Sequence, residues 1–75
     1  MYREIKAQMA RRDITAAQLA EAIGISKTAF SLKMKGEREW KYSEMKMIRR
    51  ILAPDMTLDE LFATEHDEIE RMMIG

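Results

Sequence analysis

The chain has 75 residues, no cysteine, and 13 basic and 13 acidic side chains. One small domain accounts for this length, and its core buries only about 60–65% of the surface that the unfolded chain exposes. The lack of cysteine excludes disulfides and thiolate metal sites. No apolar run reaches the roughly 18 residues that cross a membrane, and the first residues do not resemble a signal peptide, so we expect a cytoplasmic protein.

The zero net charge conceals an uneven distribution along the chain. Residues 1–50 carry twelve basic and six acidic side chains, whereas residues 51–75 carry one basic and seven acidic side chains. A basic half with an acidic end is typical of proteins that bind nucleic acid with one face. The alternative is an ordinary charged helical surface with no functional asymmetry.

The first predicted helix runs from Tyr2 to Arg11. Tyr2, Ile5 and Met9 recur at spacings of three and four, which places them on one buried face. Ile14 precedes the next helix start and is positioned to act as a hydrophobic staple.

Residues 15–36 predict two short helices joined by a tight turn, a helix-turn-helix. Thr15 and Gln18 have the spacing of a capping box, and Ser26 has the position of a second helix cap. Gly24 ends the first of these helices because the position after a helix commonly has a positive φ. Phe30 and Met34 lie one turn apart on the inner face of the second helix.

A loop at residues 36–41 leads to a fourth predicted helix, from about Tyr42 or Ser43 to Leu52, with Ser43 as a possible cap. Trp40 in this loop either anchors the loop on the core, the favoured interpretation, or offers a stacking surface for a base. The fourth helix is expected to bury four side chains at helical spacing: Tyr42, Met45, Ile48 and Leu52. The proline at position 54 ends this helix.

Thr57 and Glu60 form another predicted capping box, after which Leu58, Leu61 and Phe62 are expected to close the core. The remaining residues are acidic and then apolar. They could form a helical extension that presents Ile69, Met72 and Met73, an arm in a dimer, or a frayed tail. We therefore divide the chain into a domain at residues 1–63 and a C-terminal tail at residues 64–75.

No arrangement of residues indicates an enzyme, a metal site or a cofactor. His66 is the only histidine and lies among acidic residues, so a surface histidine is the favoured interpretation. We expect no catalytic residues and no small-molecule cofactor.

These motifs resemble the phage repressor and Cro-like (Xre-type) helix-turn-helix family over roughly residues 3–62. The matching features are Ile14-Thr15, Leu19-Ala20, Gly24-Ile25-Ser26, Phe30-Ser31, Gly36, Ser43-Glu44-Met45 and Leu58-Asp59-Glu60-Leu61-Phe62. The resemblance implies an all-α, compact five-helix lambda-repressor-like domain with the helix-turn-helix at its second and third helices. It further implies a regulator, expected to be a repressor, that binds double-stranded operator DNA as a homodimer in a bacterial or phage-infected cell and associates with the nucleoid.

The chain departs from the family pattern at four positions, one of which is Lys41, where relatives often carry a threonine cap. Many relatives carry a glutamine that contacts a phosphate where this chain has Ala16. Some relatives join their first and third helices by a buried Arg–Glu pair, and the matching positions here are Met9 and Met34. Because both members of that pair are replaced, no buried charge is left unpaired.

Helical geometry predicts which side chains of the third helix face DNA. With Phe30 pointing inward and about 100° of rotation per residue, the outward positions are 28, 31, 32 and 35. We predict base-reading roles for Lys27, Thr28, Ser31 and Leu32. We predict phosphate contacts for Thr15, Lys33, Lys35, Arg38 and Lys41. A homodimer on an inverted repeat is expected, with an interface formed by Leu58, Leu61, Phe62, Ile69, Met72 and Met73.

Two other functions remain open at the level of sequence. The chain could be a protein-interaction module that keeps the fold without binding DNA, which Ala16 and the zero net charge favour. It could also be the antitoxin of a toxin–antitoxin pair, binding DNA with its domain and a partner with its tail.

Overall fold

The computed structural model describes residues 2–64, and within this range it contains five helices and no strands. The helices are α1 (Arg3–Arg12), α2 (Ala16–Ile23), α3 (Lys27–Met34), α4 (Tyr42–Leu52) and α5 (Leu58–Leu61). Helix α4 packs against α1, α2 and α5, while α3 packs mainly against α2. This order confirms the predicted all-helical fold with a helix-turn-helix at α2 and α3.

Three helices begin at the hydroxyl caps that the sequence predicts. The Thr15 Oγ1 accepts the Gln18 backbone N–H at 3.1 Å, and the Gln18 side chain accepts the Thr15 N–H at 2.9 Å. The Ser26 Oγ accepts the Ala29 N–H at 3.0 Å. Thr57 and Glu60 repeat the reciprocal arrangement at 3.1 and 3.0 Å. Each cap satisfies backbone donors that a helix start leaves unpaired.

Helices α1, α2 and α3 are each followed by a residue with positive φ: Asp13 at 55°, Gly24 at 80° and Gly36 at 83°. After α2, the Gly24 N–H donates to the Glu21 carbonyl and the Ile25 N–H to the Ala20 carbonyl. Paired bonds of this kind define the Schellman motif, which requires a left-handed residue at its centre. Glycine adopts that conformation without steric cost, whereas Asp13 has a Cβ atom and therefore adopts it at a steric cost.

The core combines residues from all the helices. Five large side chains in it are essentially inaccessible to solvent: Ile5, Leu19, Ile48, Leu52 and Leu61. Ala20, Ile23, Phe30, Met34 and Phe62 are buried around them, and Tyr2, Met9, Ile14, Met45 and Leu58 pack against their edges. Most of the predicted inward-facing residues are therefore confirmed, including the closure of the core by Leu61 and Phe62.

The start of α4 corrects two predictions. The helix begins at Tyr42, and the Lys41 N–H donates to the Glu44 side chain at 3.0 Å, so Lys41 rather than Ser43 is the cap residue. Tyr42 is 65% exposed, although it was expected to be buried. Six residues at about 100° each place Tyr42 about 120° from Ile48, which is too far to reach the core. Its ring lies instead beneath the Lys46 ammonium, 4.8 Å from the ring centroid.

Candidate nucleic-acid interface

Helix α3 presents one face to solvent and buries the other. Lys27 and Thr28 are exposed, Ser31 and Leu32 are half-buried, and Phe30 is buried. This is the division that rotation about the helix predicts with Phe30 inward. The outer face therefore offers an ammonium, two hydroxyl groups and an apolar side chain in succession, the groups that contact base edges in a major groove.

Exposed basic residues follow this face along the chain, from the C-terminal end of α3 to the start of α4. Lys35 ends the helix, and Arg38 and Lys41 follow in the loop before α4; all three are exposed. We call these three residues the basic rim. Thr15 is also exposed, at the start of α2, and its hydroxyl oxygen accepts the Gln18 N–H. The hydroxyl proton of Thr15 is a donor that this bond leaves unused.

Lys33 does not belong to this surface, and its predicted phosphate contact is corrected. The residue is only 7% exposed, and its Nζ lies 2.5 Å from the Glu44 Oε1. Glu44 is equally buried, because it stands one turn before Ile48 on the inner face of α4. The same Glu44 oxygen also accepts the Lys41 N–H. A buried ion pair thus joins the third helix to the start of the fourth.

The surroundings of Glu44 determine its ionisation. Burial raises its pKa, but the hydrogen bonds from Lys33 and the Lys41 backbone and the positive charges of both lysines outweigh burial, so the pKa lies below its ordinary value. Glu44 is therefore ionised near neutral pH and remains the acceptor for both donors. The spacing of Lys41 and Glu44, which suits a helix cap, was the sequence signal that could have identified this residue.

Trp40 anchors the loop on the core, as the favoured interpretation predicted. Its ring makes edge-to-face contacts with Tyr2, Phe30 and Phe62, at centroid distances of 6.1, 5.7 and 5.6 Å. The Lys33 Nζ lies 5.8 Å from the ring centroid. Three aromatic contacts hold the ring against the protein, so it is not available as a stacking surface for a base.

A comparison with protein families identifies this arrangement. The sequence model of the Cro/C1-type helix-turn-helix DNA-binding domain matches residues 4–67. The chain belongs to this family. Searches of curated proteins and of solved structures find no match. Membership assigns the chain to sequence-specific DNA-binding regulators, a class that is not typically enzymatic.

Two of the six residues of the predicted dimer interface are buried in the structure. Leu61 and Phe62 are buried within the protomer, so neither can contact a second subunit, and this part of the prediction is corrected. Leu58 is half-buried and remains accessible in part. Ile69, Met72 and Met73 lie outside the described residues, as does His66.

Other features of the Cro/C1-type domain bear on the chemistry that it can perform. Within residues 2–64 no helix is long and apolar enough to span a membrane. The same residues contain no cluster of three or more His, Cys, Asp or Glu side chains that could hold a metal ion. The candidate site consists of the outer face of α3, the basic rim and Thr15.

Proposed function

We propose that this Cro/C1-type protein is a homodimeric repressor that binds an inverted-repeat operator with α3 in the major groove. The observation that carries the proposal is the outer face of α3, where exposed Lys27 and Thr28 are followed by the basic rim. Membership in a DNA-binding family supports the same function.

Each exposed group has a proposed role that follows from its chemistry. Lys27 donates to guanine O6 and N7 or to a phosphate, and the hydroxyl groups of Thr28 and Ser31 pair with base edges. Leu32 contacts a thymine methyl group. The basic rim and Thr15 contact phosphates, which fix the position of the helix without reading sequence.

A dimer is proposed because a single reading helix makes few base contacts, and two-fold operators place one helix in each of two successive grooves. The accessible part of Leu58 and the C-terminal tail at residues 64–75 form the proposed interface. Light scattering of the Leu58→Glu variant tests this part: a monomer supports the interface, and an unchanged dimer places it elsewhere. Met47→Glu on α4 is the control, since Met47 is also partly exposed.

Selection from random duplex DNA, followed by fluorescence anisotropy at several salt concentrations, tests the function. If the basic rim supplies three charges per protomer, the dimer should give a log–log salt slope of about −5, and about −7 if Lys27 also contacts a phosphate. Enrichment of an inverted repeat supports the proposal. Absence of binding at low salt refutes it.

A pair of matched variants distinguishes the contribution of the basic rim to DNA binding from that of surface charge in general. Arg38→Gln should weaken binding to all sequences and reduce the salt slope by about 0.9 per protomer. Arg50→Gln removes the same charge from an exposed position near the end of α4 and should change the slope little. Thr28→Ala should instead relax sequence preference without changing the slope. Equal effects of the two arginine variants would contradict the role of the rim.

The protein-interaction and antitoxin alternatives draw support from Tyr42 at the start of α4, a large aromatic side chain that is 65% exposed. If no DNA binds, capture of a cellular partner that Tyr42→Ser abolishes would favour these functions over regulation of transcription.

A further inference from the structure

A hollow of about 250 Å³ opens to solvent between α1, the start of α2 and the inner flank of α3. Its walls are mainly hydrocarbon and thioether, supplied by Met9, Ala16, Phe30 and Met34. Ala16 contributes only a methyl group to the lining. Two of the wall residues, Met9 and Met34, are flexible thioethers that adapt to bound apolar groups of different shape.

The mouth of the hollow is cationic. Lys6 from α1 and Lys35 from the end of α3 both line it, and both are exposed. Neither ammonium forms an ion pair within residues 2–64. Ser31 adds a hydroxyl group to the lining. An apolar interior with a few converging polar groups is the usual composition of a small-molecule site.

The geometry points to a binding site for a small amphipathic organic anion, namely a monocarboxylate with a short apolar body. The apolar body fills the space between Met9, Phe30 and Met34, and the carboxylate lies between Lys6 and Lys35. The positive charges of the two lysines disfavour binding of organic cations. Inorganic phosphate is also disfavoured, because the apolar walls offer no hydrogen-bond partners to its oxygen atoms. The volume limits the occupant to a molecule smaller than most drug-sized ligands.

Occupation of this site opposes DNA binding, a consequence that rests on the proposed function. Lys35 belongs to the basic rim and Ser31 to the outer face of α3. A carboxylate bound at the mouth therefore neutralises the Lys35 ammonium and covers the Ser31 hydroxyl group. By thermodynamic linkage, bound DNA must lower the affinity for the anion by the same factor by which the bound anion lowers the affinity for DNA. The domain would then respond to the concentration of an organic acid without a separate sensor domain.

Octanoate is the probe for the site, titrated into the full-length protein and followed by backbone amide NMR shifts. We expect saturable shifts at Met9, Ala16, Phe30 and Met34, with a Kd on the order of 0.1–1 mM. Octanol, which has the same chain without the charge, should bind at least fivefold more weakly. Shifts spread over the whole surface, or none at 10 mM, overturn the proposal.

Two alanine variants control for the general hydrophobicity of the chain. Ala16→Leu should fill the hollow and abolish octanoate binding, while Ala17→Leu, at the adjacent exposed position on the same helix, should leave it unchanged. Equal loss in both variants would overturn the site. Lys6→Gln should weaken octanoate about fivefold and have little effect on octanol.

A second titration measures coupling to DNA. Saturating octanoate should weaken binding of the selected operator about tenfold or more in the wild type and have no effect in Ala16→Leu. If octanoate binds but DNA does not, the result supports the anion site and refutes the proposed function. If both bind without affecting each other, the site stands and the coupling is refuted.

Discussion

The buried pair between Lys33 and Glu44 makes a sharp prediction for the variant Lys33→Met. Removal of the ammonium leaves the Glu44 carboxylate only 7% exposed, with the Lys41 N–H as its remaining donor. Breaking a buried ion pair from one side costs about 3–5 kcal/mol. A domain of this size has a total free energy of unfolding of about 4–11 kcal/mol. The single variant should therefore lose about a quarter or more of the free energy of unfolding.

The double variant Lys33→Met/Glu44→Met should recover most of that loss. Apolar side chains of similar volume often replace a buried pair without net cost, so we expect a free energy of unfolding within about 1 kcal/mol of the wild type. Lys27→Met is the matched control, because it removes an exposed lysine from the same helix and should change stability by at most about 0.5 kcal/mol.

Urea denaturation followed by the fluorescence of Trp40, the only tryptophan, measures these free energies; circular dichroism provides a second probe. A loss below about 1 kcal/mol in Lys33→Met would show that the ammonium is not held in a buried pair. If the same variant instead reduced the salt slope of DNA binding at unchanged stability, Lys33 would contact a phosphate and would not be held in the buried pair.

Three further predictions concern the pH dependence of stability and the helix ends. The pKa of Glu44 is lowered in the folded state, so the stability that this carboxylate contributes is complete above its ordinary pKa of 4.5 and is lost as pH falls through the folded pKa. The midpoint of urea unfolding should therefore fall less between pH 7 and 3 in Lys33→Met/Glu44→Met than in the wild type. Thr57→Ala should lower the free energy of unfolding by about 1 kcal/mol because it removes the α5 cap. Ser43→Ala, which is not at a cap position, should lower it by less than about 0.5 kcal/mol in the same denaturation assay. Asp13→Gly should raise the free energy of unfolding by about 0.5–1 kcal/mol, because φ at this position is 55°, and a lower melting temperature would contradict that reasoning.

The sequence predicted the helix ends of the helix-turn-helix because those ends depend on local chemistry. A hydroxyl group at Thr15 or Ser26 satisfies donors two or three residues away, and Gly24 supplies its own positive φ. Such rules need no knowledge of the rest of the fold. The outward face of α3 was also predictable, because one buried reference, Phe30, fixes the rotation of a rigid helix.

The burial of Lys33 could not be predicted in the same way. Rotation places Lys33 on the inner side of the helix, about 60° from Phe30, but a long lysine stem at such a position is normally expected to carry its ammonium out to solvent. Only the arrival of Glu44 from another helix makes burial favourable there, and that contact depends on the path of the loop between α3 and α4. A lysine is normally assigned to the surface because a buried ammonium without a partner is costly. Pairing across helices is a tertiary fact that local patterns do not contain.

The third helix is therefore held by different chemistry on its two sides. Towards α1, where some relatives carry an ion pair, Met9 and Met34 leave an apolar hollow instead. Towards α4, the contact between Lys33 and Glu44 is ionic and directional. Apolar contacts between flexible thioethers tolerate small displacements, whereas a buried hydrogen-bonded pair accepts only a narrow range of positions. The Lys33–Glu44 contact consequently constrains α3 from the α4 side in addition to its packing on α2, whereas a ligand in the proposed site on the α1 side would break no polar contact.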